Sequence, residues 1–476
     1  MRNICFFNWL LIIINALCFG MKAHAQPSPT WTRMLQLGGA HTEQVLATVV
    51  DAQGNVYQTG YFMDSTQCGQ LVLPMAASAT YDLYLMKRDS QGGLLWVKYA
   101  GSQSNEKTSS AHKVYGTARG NQLALDAVGN VYVTGFFRGE ITFGNPTNTL
   151  TALAAAPAAF IAKYSPQGTV IWTRKAQATL EVDATGLTVA PNGDIFVAGY
   201  FKGGLTIGSS TLNSLSGSND VFLAKYSSSG ILQWAQQAGG PADDYGYSVQ
   251  ADSSGGAYLT GNFTGYLSAS NKIITGYGKS DIFVARYNSI GVAQWLRAFG
   301  GPGQDYAGAL AIAPNGEVYS TGSFSNTAQF GASSLTSAGG LDGFLLKCDA
   351  QGIPVWVKQM SGSADENTYL VAIHPTGSVY VSGSFEGTSL FTTQSLTSIG
   401  SSDVFLARYE STGNLSWVTK GGGNSNEVPG GLSCTINGEL ELAIQFFGTA
   451  SFGNFIITSK GGYDVLFLHL QDNMPF

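Results

Sequence analysis

The sequence predicts an all-β chain, a seven-bladed β-propeller of four-stranded antiparallel blades in which an N-terminal strand completes the last blade. Three observations predict it. One phrase recurs: NDVFLAKYSSSGILQWAQQAGGPADDYG at 219–246 returns as SDIFVARYNSIGVAQWLRAFGGPGQDYA, with Asp281 sixty-one residues after Asp220. A ruler of tryptophans, Trp96, Trp172, Trp234, Trp295, Trp356 and Trp417, runs through the chain, its last four intervals 62, 61, 61 and 61 residues. The two ends are complementary. DVLFLHLQDNMPF at the C-terminus supplies a third strand without a tryptophan strand, and TWTRMLQLGGAHTEQVLA supplies a fourth strand without the first three. A fixed period of this kind marks one supersecondary unit repeated, and joining the ends protects edges that would otherwise template aggregation.

Taken in order, the first residues read as a leader rather than as fold. Arg2 gives a positive start, Trp9 to Phe19 form an apolar run, and Ala23-His24-Ala25 is an A-x-A cleavage site. Such a run is too short for a membrane span. The expected boundaries are a signal peptide at 1–25 and one propeller domain at 26–476, with an exported chain in the periplasm, on the cell surface or released.

Each unit then reads as four strands. One follows an acidic turn, as in YSVQAD; one is GGAYLTGNF; one is DIFVARY; the fourth carries the tryptophan. Short runs of Val, Tyr, Phe and Thr bounded by Gly, Asn and Ser are strand signals. NVYVTGFF and DVFLAKY are apolar on both faces, so both faces must be covered, and a ring of stacked sheets covers them. Four residues before each tryptophan stands a glycine: Gly92, Gly168, Gly230, Gly291, Gly352 and Gly413. Fourteen before stands Asp82, Asp220, Asp281, Asp342 or Asp403, with Ala158 in the Trp172 unit. Arg33 occupies the seventh tryptophan place and Trp31 lies two residues earlier, on the same strand face. The seventh unit departs further, with Ile444 in place of a glycine and Glu441 in place of a tyrosine.

Composition excludes several classes. The chain carries 30 acidic against 24 basic residues, net −6, which is not the footprint of a nucleic-acid binder. Charged residues are 11% and aromatics 12%, the balance of a turn-rich β protein rather than a disordered one. Beyond the leader the cysteines are Cys68, Cys348 and Cys434. Cys348 replaces a repeated Tyr and Cys434 a repeated Ile, so both read as small buried hydrophobes without a disulfide framework.

With GNVYVTGFF, DIFVARY and the tryptophan strand on the page, the units resemble the bacterial seven-bladed beta-propeller repeat (SBBP) family. Its phrase is D-x-x-G-N-x-Y-x-T-G-x-F, then D-x-F-[LV]-A-[KR]-Y and a tryptophan strand. The resemblance covers residues 31–470. It implies an exported protein of Bacteroidetes-like bacteria, and it implies little about activity, because propellers host many chemistries.

Two features carry candidate chemistry. Ten residues after the tryptophan place stand Glu43, Glu106, Asp244, Asp305, Glu366 and Glu427, with Val182 as the exception. Read functionally, they form an acidic collar at a channel mouth that holds a divalent cation or a basic ligand. Read structurally, each accepts backbone N–H bonds in a turn between units. The second feature is an insertion at 107–121 that brings Lys107, His112, Lys113, Tyr115 and Arg119 into an acidic chain. Loops inserted on one face of a repeat ring are often its binding face. A further set, Asp82/Lys87, Asp220/Lys225, Asp281/Arg286, Asp342/Lys347 and Asp403/Arg408, places acid and base on opposite strand faces, available to pair across units. The stretch NPTNTLTALAAAP reads as a plain loop. His41, His112, His374 and His469 form no HExxH spacing, and neither a G-x-S-x-G elbow nor a phosphate loop occurs. The expected function is a monomeric, non-catalytic binding or scaffold module for an extracellular glycan or protein, with no evident cofactor. The alternative is a polysaccharide hydrolase or lyase that uses two collar acids as general acid and base.

Overall fold

The structure, a computed structural model, describes residues 29–63, 66–68, 71–73, 81–101, 117–153, 156–435 and 437–472. Residues 1–25, and with them the leader expectation, lie outside the described residues, as do Glu106, Lys107, His112, Lys113 and Tyr115. Arg119 lies within them.

Among the described residues the chain is strand throughout, apart from one 3-10 turn at Pro146–Asn148. Within a repeat, four successive strands pair in order. Glu181–Val189, Ile195–Lys202, Asn219–Tyr226 and Leu232–Gly239 pair antiparallel, each with the next. Tyr245–Ala251, Ala257–Phe263, Asp281–Tyr287 and Ala293–Phe299 repeat the pattern. The D-x-x-G-N turn between first and second strands has a local cause. Asp126 Oδ1 accepts the amides of Val128 (3.2 Å) and Asn130 (2.8 Å), and Gly129 takes φ +82°, a conformation costly for any residue with a Cβ. Asn219–Tyr226 is buried at every position, as two-sided covering requires.

Most of the sheets are larger than four strands, because a unit lends a hairpin to its predecessor; the sheet of residues 245–299 keeps four and meets the next hairpin through a single bridge. Glu140–Phe143 and Thr149–Thr151 pair with each other, and Phe143 pairs with Ala100 of the preceding tryptophan strand. The stretch expected to be a plain loop, 145–157, therefore begins with a 3-10 turn at Pro146–Asn148 and the hairpin's second strand at Thr149–Thr151. The same join recurs at Ala176↔Ile207, Ala238↔Ala269, Gly300↔Gln329, Met360↔Phe391, Gly421↔Phe452 and Leu37↔Cys68. Neighbouring units thus share backbone hydrogen bonds as well as packed faces.

A second seam contact involves the tryptophan. In each whole unit one register row holds an aromatic, a cation and a tryptophan on strands two, three and four: Tyr57↔Lys87↔Trp96, Phe196↔Lys225↔Trp234, Tyr319↔Lys347↔Trp356. The aromatic and the indole meet edge to face, at 5.9 Å for Phe196–Trp234, a favoured ring geometry. The indole then crosses to the next unit. Trp96, Trp172, Trp234, Trp295 and Trp356 donate Nε1–H to the carbonyls of Pro166, Ser228, Ser289, Ala350 and Ser411. Each of those residues lies two before the repeated glycine. A Cβ built on Gly291 would stand 2.9 Å from Trp234 Cδ2, and Gly291 has φ +83°. The G-x-x-x-W glycine is therefore the seat of the preceding unit's indole.

The first and last described strands pair with each other. Thr30–Gly39 pairs antiparallel with Asp464–Gln471, with Arg33 opposite His469, Leu35 opposite Phe467 and Leu37 opposite Val465. A bulge falls between Trp31 and Arg33, and Trp31 packs edge-on against Phe452 at 6.0 Å. Arg33 takes over the tryptophan's place, donating to the Ser90 carbonyl and lying beside Gly92. The row around it changes to match: Glu441, His469 and Arg33 stand where the other units have aromatic, cation and indole. Glu441 pairs with Arg33 (3.4 Å), with His469 (2.8 Å) and with Arg88 of the first unit (3.1 Å). The apparent decay at Glu441 is thus a lock between first and last units.

One cavity is lined by a strand from each of seven stretches, including Thr48, Gln122, Leu187, Gln250, Ala311, Ala372 and Ser433. No charged side chain lines it among the described residues.

Two substitutions test these seams. Glu441→Ala leaves Arg88, 3% exposed in its side chain, as a buried uncompensated charge, and is expected to cost roughly 3–5 kcal/mol in equilibrium urea unfolding. Gly291→Ala drives a methyl into Trp234 and is expected to cost at least the roughly 1–3 kcal/mol of an overpacked contact, read in the same experiment.

Candidate functional site

The five described members of the repeated acid set lie buried and away from the shared cavity. Glu43, Asp244, Asp305, Glu366 and Glu427 are each 0% exposed, and none lines the shared cavity. They sit in the turn that leads from one unit's tryptophan strand into the next unit's first strand, and each accepts an amide four residues back. Gly39 donates to Glu43 Oε2 (3.1 Å), Gly240 to Asp244 Oδ2 (2.6 Å), Gly301 to Asp305 Oδ2 (2.6 Å) and Gly423 to Glu427 Oε2 (2.8 Å). The other oxygen reaches the lent hairpin in several units: Thr66 Oγ1 donates to Glu43 (2.6 Å), the Ser325 amide to Asp305 (3.2 Å) and Ser389 Oγ to Glu366 (2.6 Å). The carboxylate holds the crossover rather than facing solvent. In the second unit the equivalent register place, opposite Phe137, is Ala118, and the insertion precedes it.

What sequence reasoning missed is that the collar acid meets the Asp of D-x-F. Asp281 Oδ1 and Asp305 Oδ2 lie 2.3 and 2.6 Å from where a Cβ on Gly300 would stand, and Asp403 and Glu427 flank Gly422 in the same way. The glycine leaves the space both carboxyls fill. Burial, opposed by hydrogen bonds, pushes the carboxyls up: Glu43 and Glu427 to about 7, Asp244 and Glu366 to about 8, Asp305 to about 6. Asp220 rises to about 6 for the same reason.

The basic residue of D-x-F-x-A-[KR] pairs elsewhere. Lys225 meets Asp194 (2.8 Å), Arg286 meets Asp252 (3.0 Å) and Lys347 meets Glu317 (2.9 Å), all acids of the same unit's first turn. Lys225 and Lys347 also donate to the seam carbonyls of Ser289 and Ser411. The expected acid–base pairing across units is replaced by this. Cys348 is buried as expected, and Cys434 is partly buried; both are free and both thiols are pushed up to about 12 by burial.

A second row of polar and aromatic side chains, partly buried for the most part, lies one register step beyond the acids, where the first strands begin. The row holds Gln44↔Tyr61, Arg119↔Phe136, Asp183↔Tyr200, Tyr245↔Asn262, Tyr306↔Ser323 and Asn367↔Ser384. Within single units, Tyr61 and Tyr81 lie edge-on at 4.8 Å and Tyr245 stacks on Tyr247 at 6.3 Å; across two neighbouring units, Tyr200 and Tyr245 lie edge-on at 4.9 Å. Arg119 lies over Phe136, 4.7 Å from the ring centre, and binds Asp183, which also accepts from Asn121 (2.5 Å). Burial raises the Asp183 carboxyl, and Arg119 opposes that rise. Tyr81 is 36% and Tyr306 43% exposed. The signal for this row was present in DDYGY and QDYAG, where Tyr245 and Tyr306 directly follow the repeated acid. Among the described residues no group of three His, Cys, Asp or Glu side chains is placed to hold a metal, and no described helix is long and apolar enough to cross a membrane.

Residues 233–265 match the family model described as SBBP, Beta-propeller repeat. The chain is 23% identical over 486 residues to an uncharacterized WD repeat-containing protein of Acanthamoeba polyphaga mimivirus, covering 81% of this chain and 34% of that protein. It is 30% identical over 178 residues to the regulatory protein FlaEY of Caulobacter vibrioides, covering 36% of this chain and 19% of that protein. It therefore spans about a third of the first relative's length and about a fifth of the second's. Among solved structures it is similar to the WD40 beta-propeller domain of Doa1, at 11% identity and TM-score 0.43, covering 94% of this chain and 97% of that one. It is also similar to a polysaccharide lyase described as an ulvan lyase, at 9% identity and TM-score 0.41, covering 90% and 97%. The described residues thus form an all-β, propeller-like fold, and residues 233–265 carry the SBBP beta-propeller repeat.

Proposed function

We propose that this chain is an exported binding module, a closed ring of seven blades whose partner, a glycan or a protein outside the cell, docks on the face where the first strands begin. The observation that carries it is the gathering of Tyr61, Tyr81, Arg119, Tyr200, Tyr245, Tyr247 and Tyr306 at that end of the strands, with Tyr200 and Tyr245 touching across neighbouring units and Tyr61–Tyr81 and Tyr245–Tyr247 touching within units. Tyrosine and arginine give large contact area at low ordering cost. The insertion at 107–121 runs into Arg119, so the one large departure from the repeat leads onto the same face. The seven-stranded cavity and the pairing of Thr30–Gly39 with Asp464–Gln471 support the count and the closure. Export rests on the leader features of residues 1–25.

The enzymatic alternative required two collar acids open to substrate. Those described present no oxygen to solvent and are engaged by amides and hydroxyls, so no observation favours that reading.

The test is a glycan array and a pull-down from the native cell surface, with Tyr245→Ala/Tyr306→Ala beside wild type. Ile290, 68% exposed, lies in a third-to-fourth strand turn at the other end of the unit, and Ile290→Ala serves as the control. The tyrosine double variant is expected to lose at least about tenfold in binding, as hot-spot truncation does, with Ile290→Ala unchanged. Equal binding by all three proteins removes this face from the proposal.

A further inference from the structure

Five described seams each bury two carboxyl groups against one another: Asp464 with Glu43, Asp220 with Asp244, Asp281 with Asp305, Asp342 with Glu366 and Asp403 with Glu427. All ten residues are 0% exposed. An ionised carboxylate only accepts hydrogen bonds, while a protonated one also donates. In four of the five seams an oxygen is buried without a donor: Asp464 Oδ1, Asp281 Oδ1, Glu366 Oε2, and Asp403 Oδ1 with Glu427 Oε1. An unsatisfied buried acceptor is expensive, and an ionised one more so.

We propose that each of these seams is a proton-binding site, in which one proton shared by the two acids supplies the missing donor and joins the units. The second unit carries the neutral counterpart. There the seam has Ala158 and Val182 in place of both acids, and Gln177 in place of the glycine between them. Its Oε1 accepts the Leu153 amide (2.9 Å) and its Nε2 donates to the carbonyls of Ala178 (2.9 Å) and Pro157 (3.3 Å). One amide, an acceptor and a donor without charge, does there what an acid pair with a single proton does elsewhere.

A metal fits less well. Asp281 Oδ2 already accepts from Tyr277 (2.8 Å) and Gly278 (3.1 Å), and Asp305 accepts from Gly301 and Ser325. Amide hydrogens aimed at these oxygens leave no place for the six to eight oxygens of a calcium shell. The charged groups facing the pairs differ. Lys460 lies by Asp464 and Glu43, Lys420 binds Asp403 (2.8 Å), Asp243 lies by Asp220 and Asp244, and Asp365 by Glu366. Asp281 and Asp305 are perturbed by no charge but Asp281's own effect on Asp305, which makes that pair the one to test.

The linkage has a definite sign. Glu43, Asp220, Asp244, Asp305, Glu366 and Glu427 sit above their ordinary 3.8 and 4.5, at about 6 to about 8 in the folded chain, and burial raises Asp281, Asp342 and Asp464 as well, so folded protein holds more protons than unfolded between those values. Their contribution is full below the ordinary range and is lost as pH rises through the folded values. Asp126, Asp194, Asp252 and Glu317, held below the ordinary range by hydrogen bonds and nearby cations, contribute the opposite trend, confined to more acidic pH.

The experiment follows urea unfolding of the whole chain with EDTA at pH 5 and pH 8, and proton exchange on unfolding in weakly buffered solution near neutrality. Expected are a lower midpoint at pH 8, proton release on unfolding, and an Asp281→Asn protein that gains at pH 8 while matching wild type at pH 5, because its amide is a permanent donor. An Asp281→Asn midpoint that falls equally at both values overturns the proposal. So does a midpoint at pH 8 that millimolar calcium raises in wild type but not in the variant. Should that variant not fold, the wild-type measurement decides alone, and unfolding without proton release overturns it.

Discussion

The structure depends on an indole seated on a neighbour's glycine. A four-stranded sheet of this size cannot bury both of its faces alone, so each unit is stable only as part of a stack. Trp234 shows how the stack is fixed. Its ring packs on Phe196 within its own unit, its body rests on Gly291 of the next, and its N–H finds the Ser289 carbonyl. The hydrophobic part of that contact is non-directional; the hydrogen bond and the glycine's positive φ make it specific to one register. The lent hairpin adds backbone pairing at the outer edge, so each seam is held at the tryptophan row and again at the strand join.

The closing seam must meet the same demands with strands from opposite ends of the chain, and it does so by different chemistry. Arg33 reaches the Ser90 carbonyl as an indole would, but a guanidinium brings a charge that an aromatic row cannot absorb. Glu441 and His469 replace aromatic and lysine in the same row, and Arg88 arrives from the first unit. An ion cluster with little exposure stabilises less than apolar packing of equal volume, yet it tolerates few alternative registers. The sixth seam is intermediate: Trp417 donates to Asp472 Oδ1 (3.3 Å), which also binds Arg408 (2.9 Å) through Oδ2. The more a seam involves chain ends, the more charge it uses.

Much of this was legible in sequence because the repeat is nearly undegraded. The tryptophan spacing fixed the phase of every fourth strand, and the complementary ends pointed to the Arg33–Leu37 pairing. Three things were not legible, each for a physical reason. The hairpin at 140–151 pairs with Ala100 of another unit, and four-residue strands with alternating exposure carry too little periodicity to announce themselves. Asp281 and Asp305 lie 24 residues apart on different strands, so only the fold shows that both border Gly300. The acids also recur so regularly that they look like a functional ring. Regular recurrence is in fact what a seam imposes, because every crossover turn has the same amides to satisfy.

That contrast gives a rule for dividing this chain between architecture and recognition. At buried row positions the units agree, and where one departs, the departure is compensated locally: Gln177 answers Ala158 and Val182, and Glu441 answers Arg33. At the row beyond the acids they disagree, with Tyr61, Phe136, Tyr200, Asn262, Ser323 and Ser384 at one register place and Gln44, Arg119, Asp183, Tyr245, Tyr306 and Asn367 at its partner. Part of the row still serves a seam, since Asn262 donates to the Asp305 carbonyl (2.6 Å) and accepts the Ala307 amide (3.1 Å) and Arg119 binds Asp183. The remaining variation, gathered on one face and rich in tyrosine, is where a symmetric frame becomes an asymmetric surface, and only an asymmetric surface can hold a partner in a single orientation.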